Sequence, residues 1–177
     1  METHHNTMTT ETLMEDFHQL LDKWVLWAHL PNNSSWTFES YIPVSTFTTV
    51  ENTIAVTEIL PSILVENCML FVMRNGVTPM WEDKKNRDGG CFSYKVTNKY
   101  VHKVWKELTY AIVGETISKN NNFVNTVTGI TISPKKHFCI IKIWMSNCKF
   151  QDPNVVINDI KWLIPKGCLF KKHTPEF

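Results

Sequence analysis

The amino-acid sequence predicts an α+β fold, an antiparallel sheet with helices on one face. Two observations carry this. Short runs of branched and aromatic residues bounded by turn signals outnumber the helical stripes, and several such runs follow one another closely, as hairpins do. With 177 residues, no internal repeat and no linker-like stretch, the chain suits one domain with a proper core.

Residues 1–11 are small, polar and without periodicity, and read as a disordered start to a single domain over 12–177. Thr12-Leu-Met-Glu15 fits a capping box, and Leu13, Phe17, Leu20, Leu21 and Trp24 follow at helical spacing, which predicts a short helix leading into a strand at Trp24–His29. Leu30–Ser35 is loop and Thr37–Val44 a strand. Thr49 caps a helix that runs to Leu60, where Pro61 stops it. Leu70–Arg74 is a strand closed by the turn signal Asn75-Gly76. Cys91–Val96 alternates as a strand, whereas Val101, Val104, Trp105, Leu108, Ala111 and Ile112 form the apolar stripe of a helix. Asn120–Asn122 is loop. Val127–Ser133 and Phe138–Met145 are strands joined by the basic turn Pro134-Lys-Lys-His137, and the tail from Gln151 holds a short helical stretch and a last strand near Gly167–Lys171.

The net charge is +1, so any nucleic-acid role rests on a small local site rather than a broad phosphate-gripping surface. Cys68, Cys91, Cys139, Cys148 and Cys168 are odd in number and contain no C-x-x-C pair, which suggests free thiols in a reducing compartment. No signal-peptide core and no membrane-length apolar run is present, and a cytoplasmic protein is expected.

Three tryptophans are oddly placed. Trp36 follows a polar loop, Trp81 lies in the charged stretch Pro79–Phe92, and Trp144 ends an apolar strand. Any single one is most simply core or cover for a sheet end, as expected for Trp24, Trp27, Trp105 and Trp162. Taken together they describe a stacking slot. Two indoles on loops can hold a flat base at roughly 1–3 kcal/mol per stack, more if the base is cationic. A neighbouring carboxylate, Glu82, would accept two N–H bonds from a guanine edge. Such parts make a receptor for a cationic purine.

In order along the chain stand Trp24-Val-Leu-Trp27, Ser35-Trp36, Phe47–Glu51, Pro79-Met-Trp-Glu-Asp83 followed by Gly89-Gly90, Gly114-Glu115 and Ile141–Trp144. This series resembles the eukaryotic translation initiation factor 4E family, which binds the messenger RNA 5′ cap, over roughly residues 18–145. The resemblance implies a strongly curved antiparallel sheet, helices on its convex face and the cap in its concave face. It implies that Trp36 and Trp81 sandwich 7-methylguanine, that Glu82 pairs with guanine N1 and N2, that the Trp81 backbone meets the guanine carbonyl, and that Trp144 touches the N7-methyl group. It implies no cofactor, no catalysis, and a monomer.

Departures from the family pattern fall on two surfaces. Cys91 stands where the family has a phosphate-binding Arg; by register from Gly129, Lys135 occupies a second Arg position and Ile140 a Lys position. Strand parity puts Lys142 on the face of Trp144, so Lys135 and Lys142 are expected to hold the phosphates, with Lys136 and His137 as mobile helpers. On the convex side the family docks a Tyr-x-x-x-x-Leu helix from a scaffold factor or repressor. The corresponding residues here are His18, Gln19, Leu20, Val50, Ile54, Lys106, Glu107, Tyr110 and Gly114, with Ile54 in place of the anchoring Trp and Lys106 in place of a Leu, which weakens scaffold docking. The eroded surfaces and compact length point to a divergent member from a virus or protist, acting in initiation or as a repressor that sequesters capped messages. A cap- or nucleotide-processing enzyme is the rival class, but the sequence has no P-loop, G-x-S-x-G or H-E-x-x-H; a pure interaction module would need structural roles for Trp36 and Trp81.

Overall fold

Among the described residues, seven strands form one open antiparallel sheet: β1 (Gln19–His29), β2 (Tyr41–Thr49), β3 (Met69–Arg74), β4 (Gly90–Thr97), β5 (Val127–Pro134), β6 (Phe138–Met145) and β7 (Leu169–Lys172), in the spatial order β2-β1-β3-β5-β6-β4-β7. The structure is a computed structural model and describes residues 17–157 and 159–176. The expected disordered start over 1–11 and the capping box at Thr12–Glu15 lie outside the described residues.

The period of two sorts side chains onto two unlike faces. One row of cross-strand neighbours runs Leu26, Val72, Ile130, Ile143, Phe92, Phe170, apolar throughout and almost wholly buried. Helices α1 (Val50–Ile59), α2 (Ser62–Asn67) and α3 (Asn98–Val113) cover that face. α3 does most of the covering: its stripe Val101, Val104, Trp105, Leu108 and Ile112 is buried against the strands. Each such side chain contributes about 1.5–3 kcal/mol by leaving water. The opposite face is mixed. Trp27, Phe71, Thr131, Lys142 and Ser93 form one row, and Gly129, Trp144, Cys91 and Lys171 the next. Phe71, Met73, Val77, Cys91 and Trp144 make a second, smaller core there, flanked by the half-buried Trp27, Tyr41, Met69 and Trp81. Bulges between Leu26 and Trp27 in β1, and between Val127 and Gly129 in β5, bend these strands.

Three local expectations are corrected. The helix predicted through Leu20, Leu21 and Trp24 is the first half of β1. Leu20, Trp24 and Leu26 turn inward at spacings of two and four, while Leu21, needed for the helical stripe, is 90 % exposed. The strand predicted at Thr37–Val44 begins instead with a 3-10 turn over Phe38–Ser40, and β2 extends to Thr49. Pro43 is tolerated in β2 because β2 is an edge strand. Thr49 caps α1 as expected, its Oγ1 accepting from Asn52 N at 3.1 Å, and α1 ends before Pro61, which then leads into α2. The loop at Asn120–Asn122 is the start of a single-turn helix, α4 (Asn121–Val124), capped by the Asn120 side chain. Trp27, expected as core or as cover for a sheet end, lies half-buried on the second face, edge-on to Phe38 at 6.3 Å.

Candidate ligand cleft

The charged stretch after Thr78 is a built structure rather than a solvated loop. Asp83 accepts from the Thr78 amide and hydroxyl, both at 2.8 Å, and from the Lys85 amide at 2.8 Å. The buried Asn86 amide group donates to the carbonyls of Thr78 at 3.0 Å and Met80 at 2.8 Å. The two adjacent acids therefore diverge: Asp83 holds the loop and Glu82 is left for the cleft. Gly89 and Gly90 close the loop because nothing larger fits. A Cβ on Gly89 would fall on the Met145 carbonyl oxygen, and one on Gly90 would lie 2.7 Å from the Phe170 ring.

This loop carries Trp81 into a cleft of about 370 Å³ on the second face of the sheet. Trp36, Trp81, Glu82, Lys142 and Trp144 all line it, with Tyr41, Phe71 and Thr131 among the other walls. Trp36 stands 53 % exposed at its mouth; Trp144, 4 % exposed, is its floor. Each wall indole has an imidazole behind it. His29 stacks on Trp36 with ring centres 4.1 Å apart and planes 7° from parallel, its Nε2 2.8 Å from the Ser35 carbonyl. His173 stacks on Trp81 at 5.5 Å and 16°. Burial, with the charge of Glu82, pushes the Tyr41 hydroxyl up to about 12.

The basic end of the cleft is built from β4, β6 and β7. Lys142 Nζ lies 6.0 Å and Lys171 Nζ 5.4 Å from the centre of the Trp81 ring. Burial pulls the Lys142 ammonium below the usual lysine range, and the charges of Lys171 and Lys135 act in the same direction against Cys91. Burial likewise pushes the Cys91 thiol up, opposed by its contact with the Ser93 hydroxyl and by the charges of Lys142 and Lys171. Among the described residues no carboxylate pairs with Lys142 or Lys171. Lys135, Lys136 and His137 are exposed in the β5–β6 turn and do not line the cleft, although the charge of Lys135 reaches Lys142. The turn lies beyond the ends of β5 and β6, whereas Lys142 sits within β6 and lines the cleft.

Sequence reasoning missed His29, Tyr41, Lys171, His173, Thr174 and Glu176. Lys171 reaches the cleft face only through the pairing of β7 with β4, where it stands opposite Cys91. The others depend on pairings that join distant segments, such as β7 against β4, which no local pattern encodes.

On the helix face Leu20, Val50, Thr53, Ile54, Tyr110, Val113 and Gly114 line an apolar groove of about 230 Å³. The remaining expected partner residues lie outside its lining. His18 pairs with Glu51 at 2.6 Å and Lys106 with Glu58 at 3.1 Å. Glu107 lies 3.8 Å from Lys103, and Gln19 is exposed on β1. Lys106 thus lies along the helix surface instead of entering the groove.

The architecture is thus an open antiparallel sheet with helices on one face and, on the other, a cleft lined by Trp36, Trp81, Glu82, Lys142 and Trp144. The comparisons give the family. The sequence model of Eukaryotic initiation factor 4E matches residues 19–173. The initiation factor 4E of Eremothecium gossypii is 32 % identical over 153 residues, covering 80 % of this chain and 70 % of that one. That of Saccharomyces cerevisiae is 30 % identical, covering 78 % and 69 %. A structure of Ascaris suum eIF4E-3 with m7G cap superposes with a TM-score of 0.74 at 24 % identity, over 89 % of this chain and 92 % of that one. The chain belongs to the eukaryotic initiation factor 4E family, a family of translation factors rather than enzymes, and the likeness runs through the tail that sequence reading alone had left outside it.

Proposed function

We propose that this protein binds the 7-methylguanosine 5′ cap of messenger RNA in the cytoplasm and acts in translation initiation. The observation that carries the reading is the convergence of Trp36, Trp81 and Glu82 on one cleft, from segments far apart in sequence. Methylation at N7 makes the base cationic. Two electron-rich indoles then hold it by stacking, with a cation–π contribution. Glu82 accepts from guanine N1 and N2, a charge-assisted pair, and the Trp81 backbone meets the guanine carbonyl. Trp144 faces the methyl group from the floor. Lys142 and Lys135 hold the phosphates, joined by Lys171, while Lys136 and His137 act as mobile helpers from the turn. Preorganisation supports this: His29 and His173 fix the two indoles before any ligand arrives, so little rotamer entropy is lost on binding.

The helix-face groove suits the apolar side of a short partner helix from a scaffold factor or repressor. Ile54, 44 % exposed, offers less surface than an indole would, so docking there is weak.

Titration with 7-methyl-GTP and with GTP, followed by tryptophan fluorescence, tests the reading. Quenching with a clear preference for the methylated nucleotide is expected. Equal affinity for both, or no quenching, overturns it.

A further inference from the structure

We propose that the segment Thr174–Glu176 is an internal competitor for Glu82, occupying the acid until a ligand displaces it. The proposal rests on the reading that Glu82 recognises the edge of a purine. The segment is firmly rooted. His173 is 2 % exposed, its amide donates to the Gly89 carbonyl at 2.9 Å, and its Nδ1 donates to the Asn86 carbonyl at 2.7 Å. The chain therefore leaves β7 pinned beneath Trp81. Beyond that root, Thr174 and Glu176 line the cleft, and the Glu176 amide donates to Glu82 Oε1 at 3.1 Å.

A carboxylate accepts only, and a purine edge offering two N–H groups needs both of its oxygens. A backbone N–H is the same kind of donor as guanine N1–H or N2–H. Each carboxylate oxygen can accept two bonds, so the competition is for space: Thr174 and Glu176 line the cleft, the Glu176 amide stands 3.1 Å from Oε1, and a base edge must reach the same place. Pro175 stiffens the segment: its ring fixes φ and holds Thr174 extended, which aims the following amide. The latch is weak by construction. Its one bond is solvent-exposed, and the Glu176 carboxylate brings a like charge toward Glu82. A cationic base with two donors displaces it, at the cost of the closed fraction. A closed state populated severalfold over the open one lowers apparent affinity by the same factor, about three- to tenfold.

Two variants test this, a chain ending at His173 and the full-length Glu176→Pro, which removes the amide donor. The ligand is 7-methylguanosine nucleoside, so that loss of the Glu176 charge does not act through phosphates; Glu176→Gln, keeping the amide, is the comparison. Both variants are expected to bind about three- to tenfold tighter than the natural chain, with Glu176→Gln gaining less. The gain should vanish when Glu82 is also changed to Ala, which removes the acceptor that the tail holds. Unchanged or weaker binding by Glu176→Pro while the natural chain binds overturns the competitor alone. Failure of every form to bind 7-methyl-GTP overturns the cap reading and the competitor with it.

Discussion

His173 lies beneath Trp81, ring centres 5.5 Å apart and planes 16° from parallel, so a residue of the tail holds one wall of the cleft. It packs against Trp144 as well, at 4.9 Å. Burial above all holds its pKa below the usual histidine value; the Asn86 carbonyl opposes this and the charge of Lys142 reinforces it. Its Nε2 is buried with no hydrogen-bond partner among the described residues, so a proton there would have no acceptor. The unfolded chain takes that proton at the ordinary pKa and the folded chain resists. Its contribution is therefore complete above about pH 6.5 and is lost as the pH falls below it. Thermal melts between about pH 7 and pH 5 should show a steeper fall in Tm for the natural protein than for His173→Gln. Parallel curves would remove His173 from the account.

Lys142 and Lys171 stand on neighbouring rows of the cleft face with no carboxylate beside them among the described residues. An unpaired, partly desolvated ammonium gains most from an anion. Lys142→Ala should lower affinity for 7-methyl-GTP by about tenfold, the scale of one screened charge-assisted bond, with a much smaller loss for the nucleoside. The salt dependence of triphosphate binding should also become shallower. Equal losses for both ligands exclude a phosphate role.

What the sequence disclosed depended on locality. The stripe from Val101 to Ile112 and the cap at Thr49 are repeated within a few residues, and both are found where the pattern puts them. The indoles and Glu82 were legible because a motif of separated residues marked them, and the structure does bring Trp36, Trp81 and Glu82 to one cleft. Lys142 was legible from strand parity once the resemblance put Trp144 in the cleft. β1 was not: Leu20, Leu21 and Trp24 fit a helix by spacing, and only pairing with both β2 and β3 decides for the strand. The tail residues His173 and Glu176 were invisible for the same reason, since their partners Asn86 and Glu82 lie on another loop.

The helix-face groove has a testable depth. Ile54 borders it beside Val50 and Tyr110, and the Tyr110 hydroxyl donates to Glu58 at 3.0 Å, where Lys106 also ends. Ile54→Trp should raise affinity for a Tyr-x-x-x-x-Leu peptide by about tenfold, as a buried aromatic anchor does. Lys106→Leu should change it far less, because that side chain is already turned toward Glu58. Calorimetry with the peptide separates the two; a larger gain from Lys106→Leu would show that the charge, and not the missing ring, limits docking.

Away from both surfaces Arg74 anchors a polar network, its side chain 18 % exposed. It donates to both Glu115 oxygens, at 2.7 and 3.1 Å, to Asp22 at 2.9 Å and to the Val127 carbonyl at 3.1 Å, while its guanidinium lies 4.4 Å from the Trp24 ring. Glu115 reaches this position with φ of 56°, immediately after the Gly114 cap of α3, so the ion pair holds a residue in a conformation it would not choose alone. One planar fork thus joins β1, β3, β5 and the end of α3. Lysine cannot replace it, having neither the fork nor the flat face. Arg74→Lys should cost about 1.5–3 kcal/mol, one or two bonds to charged groups. Arg74→Ala should cost more, because the Glu115 carboxylate is left enclosed without its partner. In that background Glu115→Gln should restore part of the loss, giving a coupling of about 1–3 kcal/mol in a double-mutant cycle. Urea unfolding measures all four corners; additive losses would mean that Arg74 acts through Asp22, Trp24 and the Val127 carbonyl rather than through Glu115.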